Sequence, residues 1–351
     1  MKQKKMKIKL PKKINTQFVL LGAGYDLCKI ADLIIDNDFK KPIIVTHPKK
    51  FHKRDNRLLE KHGHHIDVFS YAKNNGLKIF EADNLEDDAL LNQLKKYGSN
   101  VAFSHACRTI IKQKFLDFFG NLVFNIHPSL LPEERGAATF TWRILNDQKF
   151  IAATIHQIDT GIDSGPILFQ KKLLIKKRNT TPLDYDILTS HIYELIFRRF
   201  LKLFELEKML KLKKQDDLKS TYFSRLYTEI NGAINFDWSN QEIEKFVRAF
   251  SYPYTGAFTF VNKQRISILE CEIEHSKIKF HPFSFGRVNK IFEDGTVRII
   301  TKGGYLRIKR IQVRKKDLIP SKIIRINDVL YTPKDILDES RNQTINVRKM
   351  K

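Results

Sequence analysis

The sequence predicts an α/β protein, in which a Rossmann-like, mostly parallel open sheet is followed by a small OB-like antiparallel β-barrel. The chain has 351 residues and is 42% hydrophobic, so it can form two packed domains and is neither disordered nor collagen-like. Strand-like and helix-like segments alternate over about the first 200 residues. Later in the chain, short strand-like segments follow one another with turn dipeptides between them.

The alternating part predicts the open sheet. Short apolar runs are typical of buried strands, and apolar residues three and four positions apart are typical of amphipathic helices. Because strands alternate with helices, right-handed crossovers and a mostly parallel sheet are expected. The predicted strands are residues 17–22, 41–46, 77–80, 101–104, 122–125 and 152–156, and the predicted helices are residues 27–36, 68–75, 83–96 and 182–205.

The later part predicts the barrel. A helix over residues 240–250 has Ile243, Phe246, Val247 and Phe250 on one face, and the strands after it are separated by turns such as Asp294-Gly295. Short antiparallel strands over about 100 residues are typical of an OB-like barrel. The predicted strands are residues 258–261, 265–269, 286–288, 296–300 and 305–309.

These patterns divide the chain into segments. The predicted catalytic domain is followed by a basic linker and the OB-like domain, with a basic tail at each end. The predicted segments are the tail 1–14, the catalytic domain 15–205, the linker 206–227, the OB-like domain 228–318 and the tail 336–351.

The net charge of +24 is unevenly distributed, with seven lysines in residues 1–13 and four basic residues in 341–351. Such charge is compatible with a nucleic-acid partner, and equally with solvated tails. Three cysteines lie far apart, so we predict neither a disulfide framework nor a metal-binding cysteine pair. No stretch of 18 uncharged apolar residues occurs, and we predict a cytoplasmic protein with no membrane segment.

A glycine pair follows the first predicted strand and resembles part of a dinucleotide-binding fingerprint. Gly22-Ala23-Gly24 has no third glycine, since Leu27 takes that position, and no acidic residue ends the second strand. A tight structural turn is therefore the favoured interpretation.

Residues 124–169 contain the most informative pattern. Asn125 and His127 alternate on a predicted strand, so they share one face, and a glycine-rich turn with Asp159 and Asp163 follows later. An amide can donate to a developing oxyanion, an imidazole can take a proton, and a carboxylate can orient and charge the imidazole. The spacing fits acyl transfer to an amine, and it also fits a satisfied structural cluster.

The same segment resembles the folate-dependent formyltransferases. The shared motifs are Asn125-x-His127-x-Ser129-Leu130-Leu131-Pro132, then Arg135-Gly136, then Asp159 to Gly165. The resemblance continues through residues 234–238, 247–250 and 253–257, which are similar to the start of the C-terminal barrel in methionyl-tRNA and amino-sugar formyltransferases. Single-domain glycinamide ribonucleotide formyltransferases lack this barrel and are disfavoured.

The resemblance implies roles for individual residues. Asn125 and protonated His127 would stabilise a tetrahedral oxyanion, and Asp163 rather than Asp159 would pair with His127. The formyl donor would be N10-formyltetrahydrofolate. Its site would be formed by Ser104, Arg108, Ser129, Leu130, Leu131 and Pro132.

The resemblance also bears on the formyl acceptor. His156, Trp142 and the sequence Ala137-Ala-Thr-Phe140 are closer to the sugar enzymes, which favours a nucleotide-linked amino sugar. For His156 a hydrogen-bonded structural role, and for Trp142 a place in the core, remain open alternatives.

The second candidate acceptor is initiator methionyl-tRNA. It is supported by the net charge, the complete barrel and the basic loop 49–65. That loop holds His52, His62, His64 and His65 without a defined zinc-ligand spacing, so we predict a substrate loop or an ordinary loop and no metal site. A non-catalytic RNA-binding protein is a further alternative, which the complete set of Asn125, His127 and Asp163 disfavours. The oligomeric state is not predicted.

Overall fold

The computed structural model describes residues 6–59, 63–176, 180–207 and 209–342. The chain forms two compact units. The first contains the described residues up to Gly136 together with Phe150–Leu174 and Ile187–Tyr222, and the second contains Ala137–Lys149, Ile175–Asp186 and the described residues from Phe223 onward.

The first unit contains a seven-stranded sheet, which confirms the predicted Rossmann-like architecture. Five neighbouring strands are parallel, and the last two in the sheet are antiparallel. In chain order the strands of this unit are β1 (Met6–Ile8), β2 (Phe18–Gly22), β3 (Ile43–Thr46), β4 (Ile79–Glu81), β5 (Val101–His105), β6 (Val123–His127), β7 (Arg135–Gly136), β8 (Phe150–Gln157), β9 (Ile167–Leu174) and β10 (Leu210–Leu212). The sheet order is β4-β3-β2-β5-β6-β8-β9.

Helices cover both faces of this sheet, as a parallel sheet requires. They are α1 (Tyr25–Asp36), α2 (Lys53–Leu59), α3 (Val68–Asn74), α4 (Asp88–Lys96), α5 (Gln113–Phe118) and most of α7 (Pro182–Glu205). On one face, Phe197, Phe200 and Phe204 of α7 pack against Phe18, Phe103 and Phe124 of the central strands. On the other face, leucines of α4 and Phe115 of α5 pack against Val19 and Leu21.

The second unit contains the predicted antiparallel sheet. Its six strands have the order β12-β13-β16-β15-β14, with β17 paired to β16. A chain segment near Leu330 hydrogen-bonds to β12 through Tyr331 and Phe260, and also to Gly286 just before β14, so it bridges the two edges of the sheet. The strands are β12 (Ala257–Val261), β13 (Gln264–His275), β14 (Val288–Ile291), β15 (Val297–Thr301), β16 (Gly304–Val313) and β17 (Lys316–Leu318), after β11 (Tyr222–Phe223), where the chain passes between the units.

The helices of the second unit are α6 (Thr139–Leu145), the first turn of α7, α8 (Thr228–Asn231), α9 (Asn240–Ala249) and α10 (Lys334–Asn342). Helix α9 begins with a capping box between Ser239 and Glu242, and it buries Ile243, Phe246 and Val247 as its spacing predicts. None of the helices in the described ranges is long and apolar enough to cross a membrane.

Parts of the predicted tails and linker are ordered. Residues 6–8 form β1, which pairs antiparallel with β10 in the predicted linker, and Leu210 and Leu212 of β10 are fully buried. Residues 334–342 form α10, whose Ser340 carbonyl accepts a hydrogen bond from Asn231. The outer ends of the two tails, residues 1–5 and 343–351, lie outside the described residues.

Candidate active site

Strand β6 places the two residues that the motif predicts to act together. Its carboxyl end runs beyond the predicted boundary to His127, and the strand pairs with β5 on one side and β8 on the other. This register sets Asn125 between Ser104 of β5 and His156 of β8. The alternation along β6 therefore places Asn125 and His127 on one face of the sheet, at the carboxyl end of the strand.

Asp163 lies between two imidazole rings. Its Oδ2 is 3.6 Å from Nδ1 of His127, and its Oδ1 is 3.6 Å from Nε2 of His156. The backbone N–H of Gly136 also donates to Oδ2 at 2.9 Å. Burial acts to raise the pKa of Asp163, but the charge of His127, the contact with His156 and the Gly136 N–H together hold this pKa well below its usual range.

The hydrogen bonds of His127 define the state of its ring. Nε2 lies 2.7 Å from the carbonyl oxygen of Glu134, and a carbonyl can only accept, so Nε2 carries a proton. Nδ1 then faces the Asp163 carboxylate, and an ionised carboxylate favours a proton on this nitrogen as well. The arrangement stabilises the imidazolium form of His127.

His156 is 2% exposed and holds the amide of Asn125. Its Nδ1 lies 2.9 Å from the carbonyl oxygen of Gln157, and because a carbonyl can only accept, this nitrogen carries a proton. Nδ2 of Asn125 lies 3.2 Å from Nε2. Nε2 of His156 therefore contacts both the Asn125 amide and the Asp163 carboxylate.

The loop after β6 is fixed by a buried glutamate that the sequence analysis did not single out. The carboxylate of Glu134 accepts from the Leu130 N–H, and its backbone carbonyl accepts from Oγ of Ser129 as well as from His127. The Leu131 carbonyl accepts from Gln170, and Leu131-Pro132 is a cis peptide. An acidic residue two positions after the Ser129-to-Pro132 motif is the sequence signal that could have identified it.

The other predicted residues lie in different surroundings. Ser104 is buried on β5, and Arg108 donates to the carbonyl of Phe51 at 3.0 Å. Asp159 accepts from Ser164 Oγ and the Gly161 N–H, so it stabilises the turn itself and is not directed to the imidazoles. Among these residues, the structure joins Asp163 and not Asp159 to His127.

Trp142 lies in the second unit. Its indole N–H donates to the Ser224 carbonyl at 2.9 Å, and its ring stacks on Phe223 with centroids 5.3 Å apart. Trp142 is half-buried, and these contacts hold its ring within the second unit.

The histidines of the loop 49–65 have separate partners. Nε2 of His52 contacts Thr46 and the His47 carbonyl, while Nε2 of His64 lies 3.2 Å from Oγ of Ser190. His62 lies outside the described residues. The loop itself contains α2, and Leu58 of that helix is buried.

The backbone at the end of β2 requires a glycine, which is Gly22. Its φ is +125°, and a Cβ there would lie 1.8 Å from the His105 carbonyl oxygen of the neighbouring strand. This close approach supports the interpretation of Gly22-Ala23-Gly24 as a tight turn.

An amide, an imidazole and a buried carboxylate lie together at the carboxyl end of β6, and these groups are chemically suited to acyl transfer. The comparisons with known proteins specify the class. Residues 16–188 match the family model described as formyl transferase, and residues 227–325 match the formyl transferase C-terminal domain. The chain belongs to the formyl transferase family, and the predicted class of enzyme, a folate-dependent formyltransferase, is confirmed.

Individual relatives fall into two groups. The methionyl-tRNA formyltransferase of Dehalococcoides mccartyi is 28% identical over 301 residues, which is 85% of this chain and 86% of the relative. A solved N-formyltransferase of Helicobacter canadensis, in complex with folinic acid and dTDP-3-aminofucose, has a TM-score of 0.62 at 24% identity, covering 84% of this chain and 98% of that one. The sugar 3N-formyl transferase WlaRD, in the presence of dTDP and 5-N-formyl-THF, has a TM-score of 0.59 at 23% identity, covering 84% and 97%.

Proposed function

We propose that this enzyme transfers the formyl group of N10-formyltetrahydrofolate to the primary amine of a nucleotide-linked amino sugar. The observation that carries the reaction is the cluster of Asn125, His127 and Asp163, in which the carboxylate lies 3.6 Å from the His127 ring nitrogen. These three residue types are what formyl transfer to an amine needs: a donor to the oxyanion, a proton carrier and a fixed negative charge.

The proposed reaction proceeds through a tetrahedral intermediate. The neutral amine of the acceptor attacks the formyl carbon, a C–N bond forms, and the carbonyl electron pair moves to oxygen. Asn125 and the imidazolium of His127 stabilise that oxyanion. The His127 imidazolium gives a proton to N10 as the bond between the formyl carbon and N10 breaks and the carbonyl re-forms. The neutral imidazole then takes a proton from the nitrogen that attacked, which restores its charge. Asp163 keeps the imidazole charged at the start of each turnover.

The folate would lie against the rigid loop that follows β6. Ser129 to Pro132 are held by Glu134 and Gln170, so the loop backbone is pre-organised for a flat ligand. Ser104 and Arg108 follow at the carboxyl end of β5, beside Asn125 in the sheet. We propose these residues as the donor site.

The choice of acceptor rests on residues that resemble the sugar enzymes. His156 replaces the methionine typical of tRNA formyltransferases, and here it hydrogen-bonds to Asn125. Residues 137–140 also depart from the tRNA-enzyme pattern. A histidine at this place gives the catalytic amide a polar partner, which is the feature that favours the amino-sugar class.

Initiator methionyl-tRNA is the second candidate acceptor. The relative in Dehalococcoides mccartyi carries that name and is similar over 85% of this chain. The net charge of +24 also suits a polyanionic acceptor. The two candidates differ in how strongly binding should depend on salt, because each neutralised phosphate releases counterions.

The decisive experiment follows the label of N10-[14C]formyltetrahydrofolate. Purified enzyme receives, in separate reactions, charged initiator tRNA and a panel of nucleotide-linked sugars carrying a 3-amino or 4-amino group. We expect label in one amino sugar, with a KM that changes little between low and moderate salt. Labelled methionyl-tRNA, with a KM that rises steeply with salt, would establish the second candidate instead. Tight RNA binding without label in any amine would establish a non-catalytic protein.

A further inference from the structure

The chain segment after β10 is built into the catalytic unit. Lys213 and Ile167 exchange backbone hydrogen bonds at 2.8 Å, which attaches this segment to the start of β9. Further on, the Thr221 N–H donates to the Pro132 carbonyl, and the Thr221 carbonyl accepts from the Arg135 N–H. We call residues 213–221 the returning segment. It contacts Pro132 at the end of the loop after β6, Arg135, and strand β9, which follows the turn that carries Asp163.

Gln215 lies at the centre of the returning segment and is 5% exposed. Its Nε2 donates to two backbone carbonyls, those of Asp163 and Gly165, each at 2.7 Å. Its Oε1 accepts from Nε and Nη2 of Arg135, at 3.0 and 2.9 Å. Two donors and two acceptor sites are the full hydrogen-bonding capacity of a glutamine side chain, so every one is used.

The turn that carries Asp163 needs such support. Asp163 has a φ of +51°, in the left-handed region that non-glycine residues seldom adopt. The turn belongs to no helix or strand, so the regular backbone ladder of the sheet does not fix the position of its carboxylate. The two hydrogen bonds from Gln215 hold the carbonyls on either side of Ser164, within two residues of that carboxylate.

Arg135 connects Gln215 to the other side of the carboxylate. Its guanidinium binds Oε1 of Gln215, and the N–H of the next residue, Gly136, donates to Asp163 Oδ2. Gln215 therefore holds the backbone of the turn that bears the Asp163 carboxylate. It also holds Arg135, the residue next to Gly136, whose N–H donates to that carboxylate.

We propose that Gln215 is a positioning residue for Asp163, and that the returning segment is a component of the catalytic centre. This inference rests on the proposed function for its kinetic consequence, and on the hydrogen bonds of Gln215 for its structural one. The side chain acts only through Asp163 and Arg135.

Two substitutions separate the donors of Gln215 from its acceptors. Gln215→Glu keeps two oxygens for Arg135 but has no N–H for the carbonyls of Asp163 and Gly165. Gln215→Ala removes both sets. If Gln215 positions Asp163, the glutamate variant should behave like the alanine variant, whereas a mere anchor for Arg135 would be preserved in Gln215→Glu.

The matched control is Gln17→Ala. Gln17 is a buried glutamine of the same unit, 8% exposed, and its Nε2 also donates to two backbone carbonyls, those of Lys41 and Phe18. It precedes β2 at the opposite end of the sheet from Asn125. Its loss should lower the thermal stability as much as the loss of Gln215 without changing kcat.

The first measurement is the carboxyl 13C signal of Asp163 in protein labelled at aspartate, assigned by its absence in Asp163→Asn. In the wild type the signal should stay that of a carboxylate as the pH falls to about 4, where an ordinary aspartate is already about half protonated. In Gln215→Ala, which adds no neighbouring charge, it should begin to titrate at higher pH. An unchanged signal in this variant would overturn the inference.

The second measurement is kinetic. We expect kcat to fall on the order of tenfold in Gln215→Glu, with KM for both substrates within about twofold, because displacement of a catalytic group mainly slows the chemical step. In an Asp163→Asn background the same change should cost almost nothing more, since both act through one carboxylate. A full additional loss in that background would overturn the inference.

The two measurements also separate this inference from the proposed function. If the wild type transfers no formyl group to any amine, the proposed function fails. The carboxyl signal of Asp163 still reports whether Gln215 positions this residue, because it requires no turnover.

Discussion

Two regions of the catalytic unit contribute to the same site, and they differ in how their residues are held. Asn125, His127 and His156 lie on adjacent strands, β6 and β8, where the register of the sheet fixes each side chain. Asp163 and Gln215 lie outside regular structure, in a turn and in the returning segment, where side-chain hydrogen bonds do that work. Strand residues are placed by a repeating backbone ladder, whereas turn residues depend on single contacts from distant parts of the chain.

The comparison has a mechanical consequence. A substitution of Asn125 or His127 on β6 removes one chemical group and leaves the sheet around it intact. A substitution in the returning segment leaves every reacting group present but alters where one of them lies. The first kind should lower kcat without moving the remaining side chains of the site. The second should move the Asp163 carboxylate, and the fall in kcat should follow from that movement.

The largest expected effect on kcat comes from Asn125, which the register of the sheet holds in place. In the proposed mechanism the Asn125 amide, which Asn125→Ala removes, donates to the oxyanion, and the loss of one such donor typically lowers kcat by about 10²–10³-fold. We expect this loss with an unchanged melting temperature, measured by single-turnover transfer of labelled formyl groups.

Asn100→Ala is the control for that experiment. Asn100 binds the Asn15 carbonyl and the Gln17 N–H next to the start of β5, on the opposite side of the sheet from the catalytic cluster. It should lower stability and retain kcat. A wild-type rate for Asn125→Ala would exclude the oxyanion role of this residue.

A second effect concerns Asp163, in the turn, and the way the free energy of unfolding depends on pH. The pKa of Asp163 is lowered in the folded state, so its ionisation stabilises the protein above the unfolded-state pKa of about 3.9, and this stabilisation is lost as the pH falls toward the folded-state pKa. We expect the free energy of unfolding of the wild type to fall, from about pH 5 downward, by on the order of 1–3 kcal/mol more than that of Asp163→Asn.

Urea titrations at several pH values measure that difference. Asp83→Asn, at an exposed aspartate of the same unit, serves as the control and should follow the wild type. Parallel pH curves for the wild type and Asp163→Asn would show that the two imidazoles and the Gly136 N–H do not stabilise the carboxylate.

A third, smaller effect tests the partner of Asn125 on β8. His156→Met introduces an apolar side chain of similar length and removes the polar partner of the Asn125 amide. The amide then rotates more freely, and we expect kcat to fall by about tenfold, less than for removal of Asn125 itself.

The kinetic comparison uses His191→Met as control, since His191 is exposed on α7. An unaltered kcat in His156→Met would show that Asn125 needs no polar partner, and it would weaken the argument from His156 for an amino-sugar acceptor.

The difference between the two regions also explains what the sequence could predict. Alternation along a strand predicts that Asn125 and His127 share one face, and the Asp-x-Gly-x-Asp-x-Gly pattern marks Asp163. The structure places these residues close together, while their catalytic role stays a prediction. The sheet and the antiparallel second unit follow from periodicity in the same way.

Contacts between irregular segments left no such pattern. Gln215 lies in a stretch that polar composition marks as a linker, and only its position beside Asp163 and Arg135 gives it a role. The pairing of β1 with β10 joins residues about 200 positions apart through three residues a side, too few for a period to be seen. The stack of Trp142 on Phe223 likewise arises from a distant chain segment.

The smallest expected effect divides the returning segment itself. Arg135 also pairs with Asp217, at 2.7 Å, but the side chain of Asp217 is 72% exposed, whereas Gln215 is buried. Exposed ion pairs contribute about 0–1 kcal/mol, because water screens the charges and both long side chains lose freedom. Asp217→Ala should therefore change kcat by less than about twofold, with Gln215 still binding the guanidinium.

Asp216→Ala, which removes the neighbouring carboxylate that accepts from the Leu218 N–H, is the control for any change in the local turn. A tenfold loss in Asp217→Ala alone would mean that the exposed charge, and not the buried amide, holds Arg135 beside the catalytic carboxylate.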